Sequence, residues 1–361
     1  MPLKARFLVL VGVVGVLLGA QPAVQRPAPA RPSSFGSQIA SLSEPGGYFD
    51  TDNLISNERS YLQVIPDLRR LGLKDGAYVG VGPDQNFTYI AAVRPSIAFI
   101  IDVRRDNMLL NVLFKALFSH ARTRVEYLAL LLGRPVPAAL HQWRHASVEE
   151  IVRYIDGAPL AAPTDAARTA LAATIGELGV PLARADLDTI DRFHGRFVEA
   201  GLDLRFQSTG RPPQRTYPTY RELILAKTPD GIPANYLAAE DSFQFVKTLQ
   251  SRDLVIPVVG NLSGPSALAA IGSLLQRRGD RLTAFYASNV EFYLFGEGTF
   301  PEFAANLRRV PHTDRSLIIR SVFGRYSSIG GGSASHTQPI TAMLNALQHG
   351  RIRSYRDLIE P

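Results

Sequence analysis

Residues 97–103 read IAFIIDV, with five apolar residues in a row before Asp102. A continuous apolar run of that length fits a strand buried on both faces, as in a sheet covered by helices on each side. Similar runs occur at 77–82 (AYVGVG), 254–259, 282–287 and 316–323. Helical patterns separate them. A short helix fits residues 89–93, and residues 107–132 are strongly helical with a break near Ser119 and His120. Residues 240–251 and 266–278 repeat the pattern later in the chain. Strand and helix alternating in this way predict an α/β fold: a doubly wound, mostly parallel, Rossmann-like sheet. Residues 57–71 also have helical spacing, interrupted by Pro66. Glycines 330–332 and Ser333 read as a flexible link before a last helix at about 337–348.

The strand pattern is interrupted between residues 133 and 235. Ser147 with Glu150 three positions on forms a capping-box signature, and residues 164–177 and 185–200 read as helices. This stretch is predicted to be a mostly helical insertion between the first part of the sheet domain (47–132) and the second (236–325). Residues 326–361 then supply a C-terminal link and helix. At the other end, Lys4 and Arg6 precede an unbroken apolar run from 7 to 18, closed by Gly19 and Ala20. That order describes a secretory signal peptide over residues 1–20, too short for a comfortable membrane span. It predicts a protein exported to the periplasm or beyond, or a cytoplasmic one if the run is not a signal, with no stable span after cleavage. Residues 21–46, rich in proline, alanine and serine, read as a solvated tether.

Composition narrows the chemistry. With no cysteine, the chain has no disulfide, thiolate metal site or cysteine nucleophile. The formal net charge is +7, but the basic residues are nearly all scattered arginines, without the clustered stripe that marks a nucleic-acid partner. His141 and His145 stand four apart without the glutamate of a zinc-protease helix, and the chain has no GxSxG elbow, so neither a metal site nor a serine hydrolase is indicated.

The most informative motif is Val79-Gly-Val-Gly-Pro-Asp-Gln-Asn86, with Asp102 twenty positions after Gly82. Glycines at the end of a first parallel strand let a ligand approach the backbone, and an acid at the tip of the second strand can accept hydrogen bonds from ribose hydroxyls. Gly80, Gly82, Pro83, Asp84, Gln85, Asn86 and Asp102 are therefore candidate cofactor-binding residues. A third glycine is absent and Asp84 stands where a phosphate needs amides, which favours a ligand without phosphates. The alternative is structural: a tight glycine turn, with Asp102 capping a helix or pairing with Arg104 or Arg105. Asn261, Asn289 and Glu291 follow two later strands and are candidate substrate-binding residues, although asparagine is also an ordinary turn residue.

The segments 52–68 (DNLISNERSYLQVIPDL), 76–107, 253–272 and 282–295 resemble an uncharacterised bacterial family similar in fold to class I S-adenosylmethionine-dependent methyltransferases. The resemblance covers most of residues 47–325 and is weakest over 133–210. It implies a methyltransferase-like fold, with 80–86 in place of the first glycine-rich motif and Asp102 in place of the ribose-binding acid. S-adenosylmethionine is the cofactor it implies. It also implies an aspartate where this chain has Asn261, so no general base is expected there. The residues thus predict a small polar or nucleoside-type ligand at the strand ends. The competing expectation is a non-catalytic module that uses the insertion to bind a protein or envelope component. An open crevice with Asp102 in its wall favours the first, a filled crevice the second.

Overall fold

The computed structural model describes residues 34–161, 165–209, 216–326 and 332–360. The expected signal peptide lies outside these residues, as does the first half of the tether, 21–33. Six strands form one sheet: β1 (Ala77–Val81), β2 (Ile97–Asp102), β3 (Val255–Val259), β4 (Leu282–Ser288), β5 (His312–Phe323) and β6 (Ser333–Pro339), in the order β3-β2-β1-β4-β5-β6. Every pairing is parallel except β5 with β6. The register sets Val79 opposite Phe99 on one side and Phe285 on the other, and all five residues of β1 are buried. The α/β architecture read from the apolar runs is the one observed.

Five of the strands coincide with those runs; β6 does not. Its sequence, SASHTQP, is polar because this antiparallel edge strand is half exposed. It starts at Ser333, the end of the predicted link, and takes the first residues of the predicted last helix, which begins at Ile340 instead. The stretch 57–71 is also corrected: only Ile65–Arg70 is helical, with proline in the first turn, where its missing N–H costs nothing. Residues before it form turns. Tyr61 anchors them by donating its hydroxyl to the Leu223 carbonyl at 2.6 Å.

The tether also ends earlier than read. Helix Phe35–Leu42 buries Phe35, Ile39 and Leu42. The half-buried pattern at i, i+4 and i+7 was masked in the sequence by flanking proline and serine. The buried Lys115 ammonium sits 4.2 Å from the Phe35 ring centroid, and pairs with Asp253 at 2.7 Å. Beyond the helix, residues 43–47 cross the carboxyl ends of β3 and β2. The Glu44 N–H donates to Val259 O at 2.9 Å, and the Gly47 N–H donates to Val103 O at 2.7 Å. The Glu44 carboxylate accepts from the amides of Asn261, Ser266 and Ala267, at 2.8, 3.0 and 3.0 Å. It thereby fills the positive N-terminal end of helix Ala267–Arg278.

Between helix Arg124–Leu131 and helix Glu240–Ser251 the described chain has helices and only isolated bridges. It packs with the sheet in one compact unit. Arg124, buried, ties it down by donating to the carbonyls of Leu237 at 2.7 Å, Ala238 at 2.8 Å and Ala146. The capping box at Ser147 and Glu150 is present.

If the first helix is an integral part of the fold, Phe35→Ala lowers the unfolding free energy by about 3 kcal/mol. Urea denaturation measures this, and limited proteolysis should then show faster cleavage within residues 34–52.

Candidate functional site

The strand order reverses between β1 and β4, because β2 and β3 lie on one side of β1, and β4 and β5 on the other. Open α/β sheets bind ligands outside the carboxyl ends of the strands at this switch point. Here a cavity of about 230 Å³ occupies it, and its lining includes Gly82, Pro83, Gln85, Asp102, Asn261 and Asn289. Residues from the ends of four strands, predicted separately, thus meet in one cavity.

Four of the predicted residues do not line it. Gly80 faces its own turn: a Cβ there would fall on Asn86 Oδ1 and the Tyr78 hydroxyl. Asn86 is fully buried, and its Nδ2 donates to the carbonyls of Val81, Pro83 and Gly82 at 2.9, 2.7 and 3.3 Å. Its Oδ1 accepts from the Tyr78 hydroxyl at 2.8 Å. Asp84 points into the core, where the phenols of Tyr220 and Tyr236 donate to one carboxylate oxygen at 2.8 and 3.2 Å. Glu291 is buried against Arg320, which donates to its two oxygens at 2.6 and 3.1 Å. Glycine freedom matters at Gly82 instead, where φ is +85°.

Asp102 reaches the cavity wall, but its carboxylate is already engaged. Oδ1 accepts from the Arg104 amide and Nε at 2.9 and 3.0 Å, and Oδ2 from Arg104 Nη2 and Asn107 Nδ2 at 2.8 and 2.9 Å. The pairing with Arg104 is the structural alternative raised from the sequence, so a ligand hydroxyl must share or displace one of these donors. Asn261 lines the cavity while its Oδ1 accepts from the Ser263 amide and hydroxyl, an ordinary turn contact.

Gln85 is 6% exposed, and its Nε2 donates to the Tyr286 hydroxyl at 3.0 Å. Its Oε1 has no hydrogen-bond partner among the described residues. A buried acceptor without a donor is costly.

Glu58 was missed. It is 1% exposed, lines the cavity floor, and accepts from the hydroxyls of Tyr286 at 2.7 Å, Ser288 and Ser321. Burial pushes its pKa above the usual carboxylate range, and the three hydroxyls pull the other way. Ser288 has φ +52°, a left-handed conformation unusual for serine, at the end of β4, where its hydroxyl meets Glu58. The one sequence signal for this cluster was the polar pair Tyr286 and Ser288 two apart in a buried strand, which sends both to one face. Glu58 itself lies more than 200 positions from its partners. The cavity also has an aromatic wall that no periodicity indicated: Phe49 meets Tyr293 edge-on at 4.9 Å, and Phe206 meets Tyr217 at 5.1 Å.

Among the described residues no group of three or more His, Asp or Glu could hold a metal ion. None of their helices is long and apolar enough to cross a membrane.

Fold and cavity together define an open, mostly parallel α/β protein with a polar-floored, aromatic-walled cavity at its topological switch point. The chain belongs to the family described as Domain of unknown function (DUF7790), whose profile matches residues 53–157 and 212–360. A search among curated proteins finds no match.

Asp84 makes a pH prediction. Burial lifts its pKa from 3.8 to about 6 in the folded protein, against the hydrogen bonds from Tyr220 and Tyr236. A raised acid is protonated more readily folded than unfolded, so stability falls as pH rises from about 4 to about 6 and is level above. Asp84→Asn keeps an acceptor for both phenols and removes the titration. Relative to wild type it should gain roughly 2–3 kcal/mol between pH 4 and pH 7.5. Chemical denaturation at both pH values checks this; a constant difference would exclude Asp84 as the titrating group.

Proposed function

We propose that this is an exported protein of methyltransferase-like fold that binds a small, polar, phosphate-free ligand of the nucleoside type in the switch-point cavity. The observation that carries the reading is the convergence of Gly82, Gln85, Asp102, Asn261 and Asn289 on one cavity; Gln85 Oε1, buried, has no donor among the described residues. The 82–85 turn supplies a close backbone approach. Gln85 accepts from the ligand, and Asp102, held by Arg104, offers hydroxyl contacts at the edge of its ion pair. What supports a ligand without phosphate is that Arg104, the cavity's one lining cation among the described residues, is already paired with Asp102.

S-adenosylmethionine meets this description, having an adenosine and no phosphate. It is the cofactor implied by the family resemblance; if the protein is an enzyme, methyl transfer is the reaction that follows. Export rests on the basic and apolar order of residues 4–20, and places the ligand outside the cytoplasm. The open cavity weighs against the alternative of a filled crevice serving a purely interaction-based module.

Calorimetric titration with S-adenosylmethionine, S-adenosylhomocysteine and adenosine tests the reading. The expected result is micromolar binding of at least one of them, weakened about tenfold or more by Gln85→Leu and by Asp102→Ala. Absence of heat for all three at millimolar concentration would rule out a nucleoside-type ligand.

A further inference from the structure

Five charged residues line the cavity: Asp50, Glu58, Asp102 and Glu297 are acidic, and Arg104 is basic. Arg104 closes on Asp102 through two side-chain contacts, at 3.0 and 2.8 Å, so that pair is internally neutral. Glu58 is different. Its partners are three hydroxyls, and no cation pairs with it among the described residues. Arg320, on the strand that carries Ser321, is committed to Glu291 at 2.6 Å. A carboxylate this buried is rarely left without a counter-charge. Hydroxyls solvate it, as two phenols solvate Asp84, but unlike Asp84 it lines the cavity, where a bound cation would hold it ionised in place of a proton.

The same cavity is lined by aromatic rings. Phe49 with Tyr293 and Phe206 with Tyr217 form two edge-to-face pairs, and Tyr48 adds a ring at the rim that is 79% exposed. Aromatic faces attract cations, and alkylated cations most effectively because they shed water easily. A carboxylate and aromatic rings lining one cavity suit an organic cation, whereas among the described residues an anion would find no free positive charge.

We propose that the ligand of this cavity carries an organic onium group, an alkylated ammonium or a sulfonium, seated over Glu58 and against the Phe49–Tyr293 wall. The inference rests on the cavity being the ligand site proposed above, and adds the charge of the occupant. Gln85 Oε1 would accept from a hydroxyl or amine elsewhere on the same ligand.

Two matched pairs of probes test it without requiring the natural ligand. Choline is compared with its neutral isostere 3,3-dimethylbutan-1-ol, and S-adenosylmethionine with the uncharged S-adenosylhomocysteine, all by calorimetry or ligand-observed NMR on the full chain. The first pair tests an ammonium, the second a sulfonium. The expected result is that the cation of at least one pair binds about tenfold or more tightly than its neutral partner, and that Glu58→Gln abolishes the difference. Tyr293→Ala should weaken the same cation, which keeps the test usable if the Glu58 variant does not fold. Should adenosine and S-adenosylhomocysteine fail to bind while choline binds through Glu58, the nucleoside class is wrong and the onium site stands. Equal binding within both pairs, or a preference that survives Glu58→Gln, would overturn the onium site and leave the nucleoside reading intact. No binding of any probe would overturn both.

Discussion

The Asn86 side chain holds the end of β1 in the shape on which the site depends. Its amide nitrogen reaches the carbonyls of residues 81, 82 and 83, and its oxygen takes the Tyr78 hydroxyl. Those carbonyls belong to a strand end turning into helix Gln85–Val93, where the helix adds one backbone donor, the Asn86 N–H to Pro83 O at 3.3 Å. A side chain with both donors and an acceptor, fixed one residue inside the helix, satisfies them together. The turn then presents Gly82, Pro83 and Gln85 outward, while Asp84 and Asn86 face inward. The absence of a Cβ on Gly80 makes room for Asn86. The glycine motif therefore acts first on the protein's own packing and only through that on any ligand.

This turn shows how far the residues alone could be read. The apolar runs determined the sheet because continuous burial leaves a one-dimensional trace, and the position of the cavity followed from strand order. The direction in which each motif residue faces did not leave such a trace. Gly80-x-Gly82 and Asp84-Gln85-Asn86 alternate between core and cavity within a few positions, and only the closed turn determines which is which. Glu58 was illegible for a different reason. Its chemistry arises from hydroxyls on β4 and β5, brought to it by the sheet rather than by any spacing along the chain. β6 went unread because an edge strand needs no apolar run, and the first helix because one buried face of a short segment looks like a tether when its flanks are proline-rich.

Charge is distributed with the same economy. Asp102 with Arg104, Glu291 with Arg320 and Lys115 with Asp253 each bring an ion and its counter-ion together in or beside the core. Glu44 uses a helix N-terminus instead, accepting three backbone amides. Breaking a buried pair leaves an uncompensated ion, which costs more than the pair contributes. Against that background two buried acids have hydroxyl partners alone among the described residues: Asp84, in the core against Tyr220 and Tyr236, and Glu58, which lines the cavity. Of the two, Glu58 is the one that borders the switch-point cavity, where an external charge has most to gain.

The cavity's parts also differ in origin. Its floor, including Glu58, Gly82, Gln85, Asp102 and Ser288, comes from the two segments matched by the family profile. Tyr48, Phe49, Asp50, Thr51, Phe206 and Ser208 lie outside those segments. These outer residues are joined to one another: Thr51 bridges Ser208, the Asp52 amide donates to Gln207 O at 3.2 Å, and the Thr209 amide donates to Asp50 O at 2.6 Å. One wall is thus a short backbone ladder between the segment that crosses the strand ends and the helical insertion. Backbone pairing constrains the path of such a wall but leaves its side chains free to change. The floor fixes which chemical group is recognised, since its contacts are buried and mutually dependent. The ladder fixes how large a molecule can carry that group, and it can be altered without disturbing the hydrogen bonds beneath it.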